Sequence, residues 1–91
     1  MPSTVRCSHI LVKTEAEAID ILQDLHHGAS FTALAQVKSL CPSGKKGGDL
    51  GSFGRGQMVK PFEKTAFALE KGAISQPVKT EFGWHIIKRT E

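Results

Sequence analysis

The 91-residue chain holds no run of about 18 apolar residues, so it contains no segment able to cross a membrane as a helix. Residues 1–6 (MPSTVR) lack the apolar stretch of a secretory leader, and the chain as it stands is expected to be cytoplasmic, without membrane insertion. Cysteine is scarce: Cys7 and Cys41 cannot build the disulfide framework that small secreted scaffolds need, and both are read as free thiols. An excess of one charge is scarce too. Twelve Lys and Arg against nine Asp and Glu leave +3, too little to mark a nucleic-acid binder. What remains is 40% hydrophobic and 23% charged, too apolar for a disordered chain, and its length predicts one domain over residues 1–91.

Residues 5–12 (VRCSHILV) predict a strand, rich in β-branched residues and free of Gly and Pro. Val5, Cys7, His9 and Leu11 share one face, while Arg6, Ser8, Ile10 and Val12 share the other. Neither face is cleanly polar, which predicts a central strand covered on both sides. A helix follows, opened by a capping box at Thr14 and Glu17 and closed by His26-His27-Gly28. Its expected apolar stripe is Ala18, Ile19, Leu22 and Leu25. A shorter helix capped by Ser30 is expected to turn Phe31, Leu34 and Val37 inward.

Residues 39–56 carry six glycines and predict a long loop with a brief strand at 50–53. Pro61 suits the first turn of another helix, running to about Leu69 with Phe62, Ala66 and Leu69 on one face. Segments 76–80 and 84–89 predict a closing hairpin. The order β-α-α-loop-β-α-β-β is that of an α+β domain with helices packed on a small, mainly antiparallel sheet.

Several motifs fail on inspection. Gly51-Ser52-Phe53-Gly54 fits the GxxG of an RNA-binding loop, but that loop joins two helices, and here a strand is expected. Gly44-Lys45 is not followed by Ser or Thr, as a phosphate-binding loop requires. Cys7, His9, Cys41 and His85 are zinc-type ligands without zinc-type spacing. Lys38, Lys45, Lys46, Arg55 and Lys60 could dock an anionic surface, against the plainer reading of a solvated rim.

His9 draws more attention, because a buried imidazole needs a hydrogen-bond partner. His85 on the last strand could provide it across the sheet, as part of either a structural network or an active site. Leu50, Met58 and Phe62 flank the glycine-rich segment, where they form either ordinary core or the wall of an apolar pocket. Cys41 could be a nucleophile with a histidine base, although no Asn or Asp is placed to orient that base.

Taken together, residues 8–13 (SHILVK), 41–44 (CPSG), 48–51 (GDLG), 54–62 (GRGQMVKPF), 67–69 (FAL), 77–78 (PV) and 82–87 (FGWHII) closely resemble the parvulin family of peptidyl-prolyl cis/trans isomerases. Order and spacing match from about residue 6 to 90. The resemblance implies a four-stranded antiparallel sheet surrounded by about four helices, with no cofactor, no metal and a monomeric domain. It carries the family's catalytic positions onto His9, Cys41 and His85. It carries the proline pocket onto Leu50, Met58 and Phe62, with Gln57 at the rim and Phe82 bordering the groove. Thr80 falls where the family hydrogen-bonds its paired histidines.

The implied partners are proline-containing polypeptides, whose X-Pro bonds would be rotated without covalent chemistry to assist folding. A non-catalytic proline-peptide-binding or chaperone module is the alternative. The phosphate-selective branch of the family has an arginine-bearing loop after the first strand, whereas here Lys13-Thr14-Glu15 runs straight into the helix. Phosphate independence, with a large hydrophobic residue before proline, is therefore expected. Leu40, at a position often acidic in that branch, makes the surroundings of Cys41 more apolar.

Overall fold

A computed structural model describes residues 3–91 of the chain. Its elements are β1 (Thr4–Val12), α1 (Glu15–His26), α2 (Phe31–Lys38), a 3-10 turn (Pro42–Lys46), β2 (Asp49–Gly54), α3 (Lys60–Ala68), β3 (Val78–Thr80) and β4 (Gly83–Arg89). The four strands form one antiparallel sheet in the order β2-β1-β4-β3. The first and last strands are thus central neighbours, with His9 opposite Ile87 and Leu11 opposite His85.

Each face of the sheet is covered. Ile10, Val12 and Ile86 pack on α1 and α2 through Ala18, Ile21, Leu22, Phe31 and Ala35. Val5, Cys7 and Ile87 pack on α3 through Phe62 and Ala66, together with Phe53 of β2. The alternation along β1 is the physical source of both layers, as two-sided burial of that strand requires. A register shift between Arg6 and Ser8 bends the β1–β2 pairing just before His9.

The helix ends follow their signals. The Thr14 hydroxyl oxygen accepts the Glu17 N–H at 3.2 Å and donates to the Glu17 carboxylate at 3.0 Å, while Ser30 accepts the Ala33 N–H. Two inward assignments are corrected. Ile19 is 42% exposed and Val37 is 80% exposed; Ile21 and Ala35 take the buried places. With about 100° per residue, Ile19 falls about 110° and Val37 about 140° from the centre of the buried stripe on its helix.

Segment 39–56 is more structured than expected, consisting of the 3-10 turn followed by β2. Gly48 explains how it packs so closely: with φ +86° it lays its backbone on His9, where an added Cβ would collide with the His9 carbonyl oxygen. The Gly48 carbonyl accepts the His9 N–H at 2.9 Å. At the closing hairpin, Gln76 and Pro77 lie outside β3, since Pro77 has no N–H to give a ladder. Three α-helices and one 3-10 turn surround the sheet, in keeping with the about four helices expected.

Candidate active site

Where β1 and β4 run side by side, His9 and His85 turn their rings toward α3. Their Nδ1 atoms lie 2.9 Å apart, sharing one proton, and the rings stack with an 18° interplanar angle. Thr80, at the end of β3, places its hydroxyl 2.7 Å from His85 Nε2 and accepts the Phe82 N–H at 3.2 Å. Two proton arrangements satisfy this chain. If Thr80 donates to His85 Nε2, then His85 donates through Nδ1 and His9 carries its proton on Nε2. If His85 donates to Thr80 instead, His9 gives its Nδ1 proton to His85 and its Nε2 is a bare acceptor. In either arrangement His9 Nε2 is buried without a hydrogen-bond partner.

Burial first, then the neighbouring His85, pushes the His9 pKa down to about 4, and burial also lowers that of His85. Both rings are therefore neutral at pH 7. Phe62, in the first turn of α3, meets both edge-on, with ring centroids 5.5 Å from His9 and 5.4 Å from His85. The imidazoles form a neutral, aromatic-packed floor.

Above that floor opens a cavity of about 510 Å³. Its walls include Leu50 from β2, Gln57 and Met58 from the loop before α3, Phe62 itself, Phe82 from the hairpin, and Cys41 ahead of the 3-10 turn. The structure thus gathers His9, Cys41, His85, Leu50, Gln57, Met58, Phe62 and Phe82 around one space, with Thr80 behind His85. Leu11, Leu40, Pro42 and Val59 complete it. Of these, Leu11 shares a strand face with His9, Leu40 was noted for making the surroundings of Cys41 more apolar, and Pro42 and Val59 stand within the motifs that carry the resemblance.

Cys41 is half-buried, and its Sγ accepts a hydrogen bond from the Ser43 hydroxyl at 3.3 Å. Neither imidazole hydrogen-bonds this thiol, so the geometry forms no Cys–His nucleophile pair among the described residues. Ser39 fixes the backbone here, its hydroxyl oxygen accepting the N–H groups of Leu11 at 3.1 Å and Cys41 at 3.3 Å. Cys7, by contrast, is fully buried, and burial pushes its pKa up to about 11. Among the described residues no three His, Cys, Asp or Glu side chains converge as metal ligands, and no helix is long and apolar enough to cross a membrane.

The opposite wall is tied down chiefly by Glu63, which the sequence did not single out. The Glu63 carboxylate accepts the Gly56 N–H and lies 3.7 Å from Arg55, whose guanidinium sits 4.4 Å above the Phe67 ring. Gln57 directs its side-chain oxygen back to the Gly54 N–H at 3.0 Å. These contacts hold the loop that presents Met58 to the cavity. Arg55 is consequently engaged within the domain rather than part of a free basic rim.

Known proteins agree with this geometry. Residues 9–91 match the family model described as rotamase, PPIC-type PPIASE domain. The chain is 51% identical over 88 residues to the foldase protein PrsA 4 of Bacillus cereus, covering 96% of the chain and 31% of that protein. It is 46% identical to the peptidyl-prolyl cis-trans isomerase Pin1 of Digitalis lanata, covering 94% of the chain and 95% of that protein. Among solved structures, NmPin, the parvulin of Nitrosopumilus maritimus, superposes with a TM-score of 0.90 at 48% identity, covering 100% of this chain and 99% of that one. The chain therefore spans about a third of the foldases it matches and nearly all of the single-domain parvulins, and it belongs to the PpiC-type, or parvulin, family of peptidyl-prolyl cis/trans isomerases.

Proposed function

We propose that this domain catalyses cis/trans isomerisation of X-Pro bonds in polypeptides by non-covalent rotation. The observation that carries the reading is a largely apolar cavity of about 510 Å³, floored by neutral imidazoles and bordered by a thiol without a base. Rotation about a peptide bond is opposed by a barrier of about 18–20 kcal/mol, because amide resonance is lost in the twisted state. A thousandfold acceleration needs only about 4 kcal/mol of selective transition-state stabilisation.

Leu50, Met58 and Phe62 would hold the pyrrolidine ring while the preceding carbonyl turns. The planar amide is the more dipolar form, so an apolar surrounding disfavours it relative to the twisted one. His9 and His85, held by Thr80, would set the geometry and polarity beside Cys41, which would act through its polarity rather than by attack. No covalent bond forms or breaks in this scheme, so it requires no cofactor. Phosphate independence is part of the proposal, since β1 leads through Val12 and Lys13 directly to the Thr14 cap of α1.

Exchange spectroscopy on X-Pro peptides with X as Leu, Ala, Glu and phosphoserine tests these points. Fast exchange with Leu, lost in Phe62→Ala, is expected. Binding without exchange on every peptide would overturn the enzyme reading, and fastest exchange with phosphoserine would overturn the preference.

A further inference from the structure

Beyond the ridge formed by Leu40, Cys41 and Pro42 lies a second cleft of about 320 Å³. These three residues wall both it and the apolar cavity. An extended chain advances about 3.3–3.6 Å per residue. A polypeptide whose proline fills the cavity therefore crosses the shared ridge to the cleft within about two residues.

The two spaces differ in chemistry. The cavity is lined mainly by apolar side chains and neutral imidazoles, whereas the lining of the cleft includes the donor-bearing residues Gln36, Ser39 and Lys45. Ser39 is the more telling of these. Its oxygen accepts two backbone N–H groups, from Leu11 at 3.1 Å and Cys41 at 3.3 Å, which occupies both lone pairs. Its own O–H has no acceptor among the described residues, and Ser39 is part of the cleft lining. Lys45 is the sole charged side chain among the described residues that line the cleft. It forms no ion pair among the described residues, whereas Arg6 is paired with Asp49 and Arg55 with Glu63. A hydroxyl with only its proton to give and an unneutralised ammonium lining one cleft form a recognition surface for an anion.

We propose that this cleft is a substrate subsite for the carboxylate of an Asp or Glu two residues from the isomerised proline, with Lys45 as its cation and Ser39 as a second donor. The proposal rests on the isomerase reading and adds a requirement to it: apolar at the proline, acidic a short step away. Lys45 is then a specificity-determining residue on a reaction that the cavity performs.

The test is exchange spectroscopy on Leu-Pro peptides carrying Glu, Gln or Lys two places from the proline on either side, with the full chain and Lys45→Glu. The readout is the ratio of the rate for the Glu peptide to that for the Lys peptide within one enzyme, which cancels any general loss of activity. An exposed charge pair predicts a ratio of about two to five for the wild type on one side of the proline. In Lys45→Glu the ratio should invert, and in wild type it should approach one near 1 M salt. A wild-type ratio of one on both sides, or an unchanged ratio in Lys45→Glu, would overturn the subsite while leaving the isomerase intact. An absence of exchange with every peptide would overturn the isomerase reading and the subsite with it.

Discussion

Phe62 serves two purposes at once, as the wall of the cavity and as the ring against which both histidines pack. Phe62→Ala is accordingly expected to abolish most exchange activity and to cost about 3–5 kcal/mol of stability through the cavity it leaves. Thermal melts beside exchange rates separate the two effects, because a variant folded at the assay temperature yet inactive has lost the wall rather than the fold. Cys41 makes the opposite case. Its sulfur bonds the Ser43 hydroxyl and neither imidazole, so Cys41→Ser should retain substantial activity. Complete loss in a folded Cys41→Ser protein would restore nucleophilic attack as the mechanism.

At the level of elements, the loop between β2 and α3 is tied to α3 by the Glu63 carboxylate, which engages both Gly56 and Arg55. Glu63→Ala removes the acceptor for the Gly56 N–H and the partner of Arg55, and should let the Met58 wall drift. The expected result is a KM raised by up to about tenfold, the equivalent of one charge-assisted hydrogen bond, with kcat changed far less. A fall in kcat at constant KM would place Glu63 in the transition state instead. Gly48→Ala should cost about 1–3 kcal/mol or more, measured by urea denaturation, because the loop can neither keep φ +86° nor clear the His9 backbone.

These elements also mark how far the sequence could be read. Caps at Thr14 and Ser30, the β1 alternation and the Pro61 helix start are local chemistry and stand where the residues predicted them. Ile19 and Val37 were misplaced because apolar character alone does not say which flank of a helix meets the sheet. His9, Cys41 and His85 could be singled out from the resemblance. The roles of Ser39, Ser43 and Glu63 could not, since a hydroxyl or carboxylate in a loop carries no signal until its partner's position is known.

For the molecule as a whole, the buried imidazole pair ties stability to pH. An unfolded histidine gains its proton near pH 6.5, while folded His9 resists until about pH 4. Between those values the unfolded state binds more protons, so stability falls as the pH drops, levelling off below about 4. The loss assigned to His9 is on the order of 3 kcal/mol, with full stability above about pH 6.5. Denaturation midpoints recorded from pH 8 to 4 should be level to about 7 and then decline. A level profile down to pH 5 would mean that the pair accepts protons as readily in the folded chain as outside it.

The central pairing of the first and last strands has a consequence in time. The hydrogen bond between His9 and His85 spans 76 positions of sequence, and the β1–β4 ladder joins the two ends of the chain. During synthesis the floor of the site is missing until the final strand has left the ribosome and found β1. Contacts this distant close late and slowly. Nascent chains stalled before Gly83 should therefore be devoid of exchange activity, and the activity should appear in one step rather than grow with length. A domain proposed to hasten the folding of other chains would thus be unable to act on anything, including its own X-Pro bonds, until its own folding is complete.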